Sequence, residues 1–288
     1  MPDPTKPKAW ANLLSQLWGP RFPVDVETIA LEYSRRFPDP IKKIVKAQGD
    51  GFEGALYRLP KSGNWAVLVN PNIPSKGRVN FTLAHELGHY LVHRNMHPEG
   101  FECGEARVLG YDADEVRRVI EQEADDFASY LLMPMDDYRG QIDRSDMSLT
   151  LLTHCAERYK VSATAAAVKW IEFTDECAVL VTAVNGFVLW CWRSKEARRR
   201  RIFFPKGMEL PAASWAANPG LVGTSMGIEL PANTWPVASE VREMAIFADR
   251  YEMTISLLVF GEGDLRGNEL EADETDEDTY DRFTRNSR

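Results

Sequence analysis

TLAHELGHYLVH, residues 82–93, contains one H-E-x-x-H pattern and is the most informative segment of this chain. Residues four apart on an α-helix lie on one face and about 6 Å apart along the axis, so the imidazoles of His85 and His89 can reach one metal ion. Glu86 lies beside them and is placed to take a proton from a water on that ion. The pattern therefore predicts a metal site. The simpler interpretation is an amphipathic helix that carries two histidines.

A catalytic zinc site needs a third protein ligand besides two histidines and a water. His93 continues the i, i+4 series, but three histidines spread along about 12 Å of straight helix cannot converge on one ion. The metzincin pattern requires glycine at position 92 and histidine at position 95, where this chain has Val92 and Asn95. The third ligand is therefore expected from another part of the chain.

Residues 111–134 provide acidic candidates for that ligand. Apolar residues recur there at helical spacing and Pro134 ends the run, so we predict a helix. Glu121 lies at its core-facing edge, and Asp125, four residues on, is suited to accept a hydrogen bond from a liganding histidine. A solvated acidic face explains the same residues, because acidic side chains are dense between residues 112 and 126.

Two blocks of the sequence together resemble the ImmA/IrrE family of metallopeptidases. They are RVNFTLAHELGH, residues 78–89, and EQEADDFASYLLMP, residues 121–134. The family patterns R-x-x-F-T-x-A-H-E-x-G-H and E-x-x-A-[ND]-x-F-A-x-x-L-L-x-P are matched nearly in full. The pairing of the two blocks is far more specific than either block alone.

The resemblance implies both a site and an activity. The site is of the thermolysin type, with zinc bound by His85, His89 and Glu121. Glu86 is the catalytic base, and Glu123 is the alternative ligand if the second block shifts by two residues. The implied activity is that of a zinc-dependent endopeptidase that cleaves a helix-turn-helix repressor in a bacterial or mobile-element stress or gene-regulation response. The alternative is a non-proteolytic regulator of the same fold that binds a transcription factor or an antitoxin-like partner.

Composition places the chain of 288 residues among ordinary globular proteins, with 44% hydrophobic and 27% charged residues. The start of the chain lacks the apolar core of a signal peptide, and no apolar stretch of about 18 residues occurs, so we expect a cytoplasmic protein without membrane contact. The four cysteines form no C-x-x-C pair, which favours reduced thiols. A net charge of −9 argues against direct binding of nucleic acid.

Together with the resemblance, these patterns predict an α+β fold with two domains and a tail. Residues 1–174 form a zincin-like metallopeptidase domain with an active-site helix, a small sheet and a helical bundle. Residues 175–265 form a small β-rich domain, for which sensing or target recognition is a hypothesis. The change is marked at residues 177–192, where strand periodicity begins and an Asn-Gly pair predicts a type I′ hairpin. Residues 266–288 are predicted to be a disordered acidic tail.

Shorter segments of the first domain carry further predictions. Helices are expected at residues 9–19 and 25–37, and a hairpin at residues 55–70. That hairpin is a candidate for the sheet edge that pairs with an extended substrate, although a purely structural hairpin explains it as well. Residues 94–111 are polar and are predicted to be a loop near the site entrance.

Two further segments bear on partners. Residues 147–172 predict two helices joined at the N-cap Ser162, a shape similar to a helix-turn-helix. The second helix carries one basic residue, Lys169, so core packing is preferred to DNA binding. Residues 193–201 hold six basic residues. They are interpreted as a solvated flank of the hairpin or as a surface for nucleic acid, an acidic partner or the acidic tail.

Overall fold

The computed structural model of this chain describes residues 3–47, 52–73, 76–98, 100–104, 111–142, 146–248 and 253–261; the predicted tail, residues 266–288, lies outside them. The helices are α1 (Pro7–Trp18), α2 (Val26–Tyr33), α3 (Lys76–Gly88), α4 (Tyr111–Leu132), α5 (Met135–Ile142), α6 (Leu149–Tyr159), α7 (Ala163–Ile171) and α8 (Lys195–Arg199). The strands are β1 (Ile41–Lys46), β2 (Phe52–Arg58), β3 (Trp65–Val69), β4 (Gly100–Gly104), β5 (Cys177–Val184), β6 (Phe187–Arg193), β7 (Ile228–Leu230), β8 (Val241–Ala248) and β9 (Met253–Phe260). A 3₁₀ turn, Ser34–Arg36, follows α2, and a π-helical turn, His89–His93, follows α3.

The first sheet has four strands in the order β1-β3-β2-β4. Strand β1 runs parallel to β3, and the other neighbours are antiparallel. The hairpin predicted at residues 55–70 is confirmed as β2 and β3. Its assignment to a sheet edge is wrong, because β1 and β4 occupy the outer positions and the backbones of β2 and β3 are already paired on both sides.

Strand β4 lies in the segment predicted to be a loop, so that prediction is wrong for residues 100–104. The strand pairs antiparallel with β2, with Leu56 opposite Phe101. Gly100 has φ +113°, and a Cβ there would overlap the carbonyl oxygen of Leu56, so only glycine permits the approach. A short strand framed by glycines carries little of the alternating apolar signal by which strands are recognised. Its pairing with β2 decides its conformation.

Helices α1 and α2 confirm the two helices predicted near the start of the chain. The side chain of Asp25 caps α2 by accepting a hydrogen bond from the Thr28 backbone N–H at 3.0 Å. Both helices share one hydrophobic core with the first sheet, α3 and α4. Within it, a Cβ on Gly88 would lie 3.0 Å from Cδ1 of Phe127, so α3 and α4 cross closely there. The close crossing holds the H-E-x-x-H helix against the acidic helix.

The second sheet has the order β6-β5-β9-β8-β7, and all neighbours are antiparallel. The predicted hairpin is confirmed as β5 and β6, with φ of 51° at Asn185 and 81° at Gly186, as a type I′ turn requires. Strand β5 is buried along nearly all of its length. The sheet therefore has covered faces on both sides, which explains the continuous apolar run in its sequence.

The two faces of this sheet belong to different hydrophobic clusters. Helices α5–α7 pack on one face, where Tyr159 and Trp170 share a cluster with Leu180 and Leu257. The other face packs against side chains from residues 197–237. The helices assigned to the first domain therefore share a core with the second sheet. The domain division near residue 175 remains a prediction.

The pair of helices α6 and α7 has the predicted connection. The Ser162 hydroxyl accepts a hydrogen bond from the Ala165 backbone N–H at 3.0 Å and caps α7. Most residues of α7 are buried. A recognition helix must present its side chains to a groove of DNA, so the burial supports the interpretation of α7 as a core helix.

The basic run of residues 193–201 ends β6 and forms α8. Glu196 pairs with Arg199 at 2.7 Å and with Arg200. The guanidinium of Arg198 lies 5.9 Å from the centroid of the Trp192 ring. Part of the positive charge is therefore balanced within the run itself, which favours the interpretation as a solvated flank of the hairpin.

Lys169 on α7 is a fully buried lysine. Its Nζ lies 3.4 Å from the centroid of the Tyr130 ring, donates to Ser129 Oγ at 3.2 Å and lies 3.6 Å from a carboxylate oxygen of Glu172. Burial lowers the pKa of Lys169 to about 8, against the opposing effect of Glu172. In the unfolded chain, an ordinary lysine has a pKa of about 10.4.

This difference predicts a pH dependence of stability. Between about pH 8 and pH 10 the unfolded chain binds a proton at Lys169 that the folded protein has released, so the free energy of unfolding rises with pH. We expect the free energy of unfolding of the wild type, minus that of Lys169→Met, to rise by up to about 1.4 kcal/mol per pH unit in this window. Urea unfolding of both proteins at pH 7, 8.5 and 10 measures it. A difference that stays constant over this range would contradict the prediction.

Candidate metal centre

Helix α3 and the π-helical turn bring the two histidines of the H-E-x-x-H pattern together. His89 is fully buried and His85 is 8% exposed. Their Nε2 atoms lie 2.9 Å apart, so both rings direct the same nitrogen to one point. The spacing of four residues places them on one face, and the packing of α3 against α4 closes the space around them.

Glu121 on α4 completes a group of three. Its Oε2 lies 3.2 Å from His85 Nε2 and 3.7 Å from His89 Nε2. Among the described residues, His85, His89 and Glu121 form the group able to hold a metal ion, with ligand atoms all within 4.8 Å of one another. Tetrahedral zinc with bonds of about 2.0 Å separates its ligands by about 3.3 Å. The three distances bracket that value, so the residues fit a zinc ion.

The protonation states of the group suit a cation. Burial and the neighbouring His85 lower the pKa of His89 to about 3, so its imidazole is neutral. Burial raises the pKa of Glu121, but its interactions with the two histidines outweigh burial and hold the pKa well below the usual value. A neutral imidazole and an ionised carboxylate are the forms that bind a metal.

Asp125 contacts the His85 ring at Nδ1, the nitrogen that faces away from the group of three. Its Oδ1 lies 2.8 Å from Nδ1 of His85, and the contact is buried. The expected contact between Asp125 and a histidine of the pattern is therefore confirmed. A carboxylate at this position orients the ring and leaves Nε2 without a proton, facing the other two members of the group.

The sequence left His93 outside the site, and the structure gives it a contact that was not anticipated. Its Nδ1 lies 3.1 Å from Nδ1 of His89, and its Nε2 lies 2.9 Å from Oε2 of Glu123. Glu123, the alternative ligand, therefore contacts His93 in this structure and is not a member of the group of three. The spacing of four residues between His89 and His93 is the signal from which this contact could have been predicted.

Glu86, which follows His85 in the sequence, is fully buried. Strand β2 approaches it at Gly54, where a Cβ would lie 2.7 Å from Oε1 of Glu86 and would overlap Cγ2 of Thr82. The absence of a side chain at position 54 therefore provides the space in which the Glu86 carboxylate lies.

We expect Gly54→Ala to reduce stability by about 1–3 kcal/mol, because the added methyl group overpacks this contact. Displacement of Glu86 should also lower any activity that depends on it. Urea unfolding measures the first effect. Gly140→Ala on α5 is the matched control, since a Cβ there meets no atom within 4 Å, and it should be neutral or stabilise by up to about 1 kcal/mol. Equal stability of the Gly54→Ala protein and wild type would contradict the prediction.

Four side chains, those of Tyr90, Tyr111, Tyr130 and His154, are candidates for stabilising an oxyanion, and three of them have described contacts elsewhere. The Tyr90 hydroxyl donates to the Asp39 carbonyl at 3.1 Å. Tyr130 packs over Lys169, and His154 Nε2 lies 2.8 Å from Gln141 Oε1. The side chain of the fourth, Tyr111, lies outside the described residues. No oxyanion partner is therefore assigned among the described side chains.

The fold and this group define a class. Two helices cross at a His-His-Glu group beside a small mixed sheet, which is the arrangement of a zincin-like metallopeptidase domain, and a β-rich part follows it. Residues 42–170 match the model of the peptidase M78 family, described as an IrrE N-terminal-like domain. The family supports a metallopeptidase with a bound metal ion.

One solved structure with a similar fold is that of a Mycobacterium tuberculosis transcriptional regulator. The two chains are 12% identical, with a TM-score of 0.52, and the alignment covers 88% of this chain and 75% of that chain. At this identity the likeness shows the fold alone. No curated protein matches the sequence significantly. Among the described residues, no helix is long and apolar enough to cross a membrane.

Proposed function

We propose that this protein is a cytoplasmic zinc-dependent endopeptidase that cleaves a helix-turn-helix transcriptional repressor in a stress or gene-regulation response. The observation that carries the proposal is the group of His85, His89 and Glu121, with Glu86 next to His85 in sequence and buried. The match of residues 42–170 to the model of a peptidase family supports the same conclusion. The resemblance to ImmA/IrrE proteins supports the choice of a repressor as substrate.

In this mechanism, each residue has a defined part. His85, His89 and Glu121 hold the zinc ion, which when bound polarises the scissile carbonyl and acidifies a water molecule. Glu86 takes a proton from the attacking water and delivers it to the leaving amine, a role worth about 10² to 10⁴ in rate. Asp125 keeps the His85 ring in the orientation that binding requires.

The alternative is a non-proteolytic regulator that binds a transcription factor or an antitoxin-like partner through the same fold. The description of the M. tuberculosis neighbour as a transcriptional regulator favours it. Retention of a glutamate at position 86 favours the peptidase, because a pure binding protein has no use for a base there.

Mapping of new protein N-termini tests the proposal. Cells that produce wild-type protein are compared with cells that produce Glu86→Gln, by enrichment and mass spectrometry of N-terminal peptides. We expect a new N-terminus within a helix-turn-helix repressor only with the wild type. Identical N-termini in both samples, from protein that contains zinc, would reject the peptidase and support the non-proteolytic regulator.

A further inference from the structure

His89, His93 and Glu123 form a chain of hydrogen-bonding groups that leads from the metal group to the surface. His89 Nδ1 meets His93 Nδ1 at 3.1 Å, and His93 Nε2 meets Glu123 Oε2 at 2.9 Å. The side chain of His93 is fully buried, whereas that of Glu123 is 41% exposed. The chain therefore begins in the core, at the ring that faces the proposed zinc, and ends at a carboxylate in contact with solvent.

The carboxylate sets the direction of both hydrogen bonds. An ionised carboxylate only accepts, so His93 donates to it from Nε2. A neutral His93 then has an unprotonated Nδ1, which accepts a hydrogen bond from Nδ1 of His89. His89 consequently carries its proton on Nδ1, and its Nε2 presents a lone pair to His85 and Glu121. The opposite direction would place the proton on Nε2 of His89, where it excludes a metal ion.

His89 and His93 lie at the two ends of the π-helical turn at residues 89–93. The centroids of the His89 and His93 rings are 5.2 Å apart. Nδ1 of His85 contacts the Asp125 carboxylate directly. Nδ1 of His89 is instead linked to the Glu123 carboxylate through the imidazole of His93.

We propose that His93 and Glu123 are positioning residues that fix the tautomer and ring orientation of His89 for binding a divalent cation. The inference rests on the metal site of the proposed function. Partners behind liganding histidines contribute about 10- to 100-fold to metal affinity. A fully buried imidazole between a ligand and a surface carboxylate is placed to make a contribution of this size.

Zinc affinity, measured by competition with a chromophoric chelator, tests the proposal. Removal of the acceptor in His93→Leu should weaken zinc binding by about 10- to 100-fold. His93→Asn should recover part of the affinity, because its amide oxygen occupies nearly the position of Nδ1 and accepts the same proton. Glu123→Gln should weaken binding by about 10-fold, because an amide both donates and accepts and no longer imposes a direction. Glu157→Gln, a change of the same charge at an exposed position on α6, should bind like the wild type.

The visible absorption of bound Co²⁺ provides a second measurement that does not depend on activity. A misoriented His89 alters the ligand field, so His93→Leu and Glu123→Gln should change the bands, whereas Glu157→Gln should not. Circular dichroism and urea unfolding of the metal-free proteins show whether each variant folds. If His93→Leu does not fold, Glu123→Gln decides the matter.

The outcomes separate this inference from the proposed function. Wild-type protein that binds no zinc would overturn the proposed function and the positioning roles with it. Wild-type protein that binds zinc, with His93→Leu and Glu123→Gln equal to it in affinity and Co²⁺ spectrum, would overturn the positioning roles alone.

Discussion

Glu86→Gln is expected to bind zinc as the wild type does and to lose a factor of about 10² to 10⁴ in the rate of peptide-bond cleavage. The substitution keeps the size of the side chain but removes the base that accepts the proton of the attacking water. Glu86 is not one of the three residues whose ligand atoms converge, so metal binding should be preserved. Elemental analysis measures zinc per chain, and the rate is measured on the repressor identified by its new N-terminus.

The exposed Glu157→Gln is the control for loss of a negative charge and should keep the full rate. Full activity of Glu86→Gln would remove the proposed base from the mechanism. Loss of both zinc and activity would mean that Glu86 binds the ion or stabilises the residues around it. Its role would then have to be reassigned.

Glu121→Ala and His89→Ala each remove one of three ligands. We expect their zinc affinity to fall by more than the roughly 100-fold that follows the loss of a hydrogen-bond partner of a ligand. Metal that binds only the folded state stabilises it, by about 2.7 kcal/mol at a free concentration 100 times the dissociation constant. Added zinc should therefore raise the free energy of unfolding of the wild type and leave these two variants unchanged. Zinc titration and urea unfolding with and without a chelator measure the two effects.

Gln122→Ala is the matched control on the same helix, since residue 122 lies next to Glu121 and outside the group of three. It should bind zinc with wild-type affinity. Retention of tight binding by Glu121→Ala would show that another residue completes the site. Glu123 would then be examined first, because it is the nearest acidic alternative in sequence.

Several features of the fold were predictable because they depend on short-range interactions. The turn at Asn185 and Gly186 requires two positive φ angles, which this residue pair adopts readily. The cap at Ser162 depends on a hydroxyl three residues before a backbone N–H. The paired sequence blocks around residues 85 and 121 identified the zincin-like domain, which the family match over residues 42–170 supports.

Long-range pairing produced the errors. Strand β4 has too few apolar residues to be recognised alone, and it exists because β2 offers it a partner. Its presence places β2 inside the sheet, as β1 does for β3, so the substrate edge assigned to this hairpin could not have been tested without the strand order. The domain division near residue 175 and the role of the C-terminal domain remain predictions.

From the sequence alone it follows that His85 and His89 lie on one face of a short helix with Glu86 beside them, because the periodicity of a helix places residues four apart on one face. The tertiary structure decided which acidic side chain meets them. Glu121 and Glu123 are separated by about 200° of rotation around α4, and the approach of Gly88 to Phe127 sets which flank of that helix faces each histidine. Crossing geometry depends on the packing of the whole core, so Glu121 joins His85 and His89 while Glu123 contacts His93.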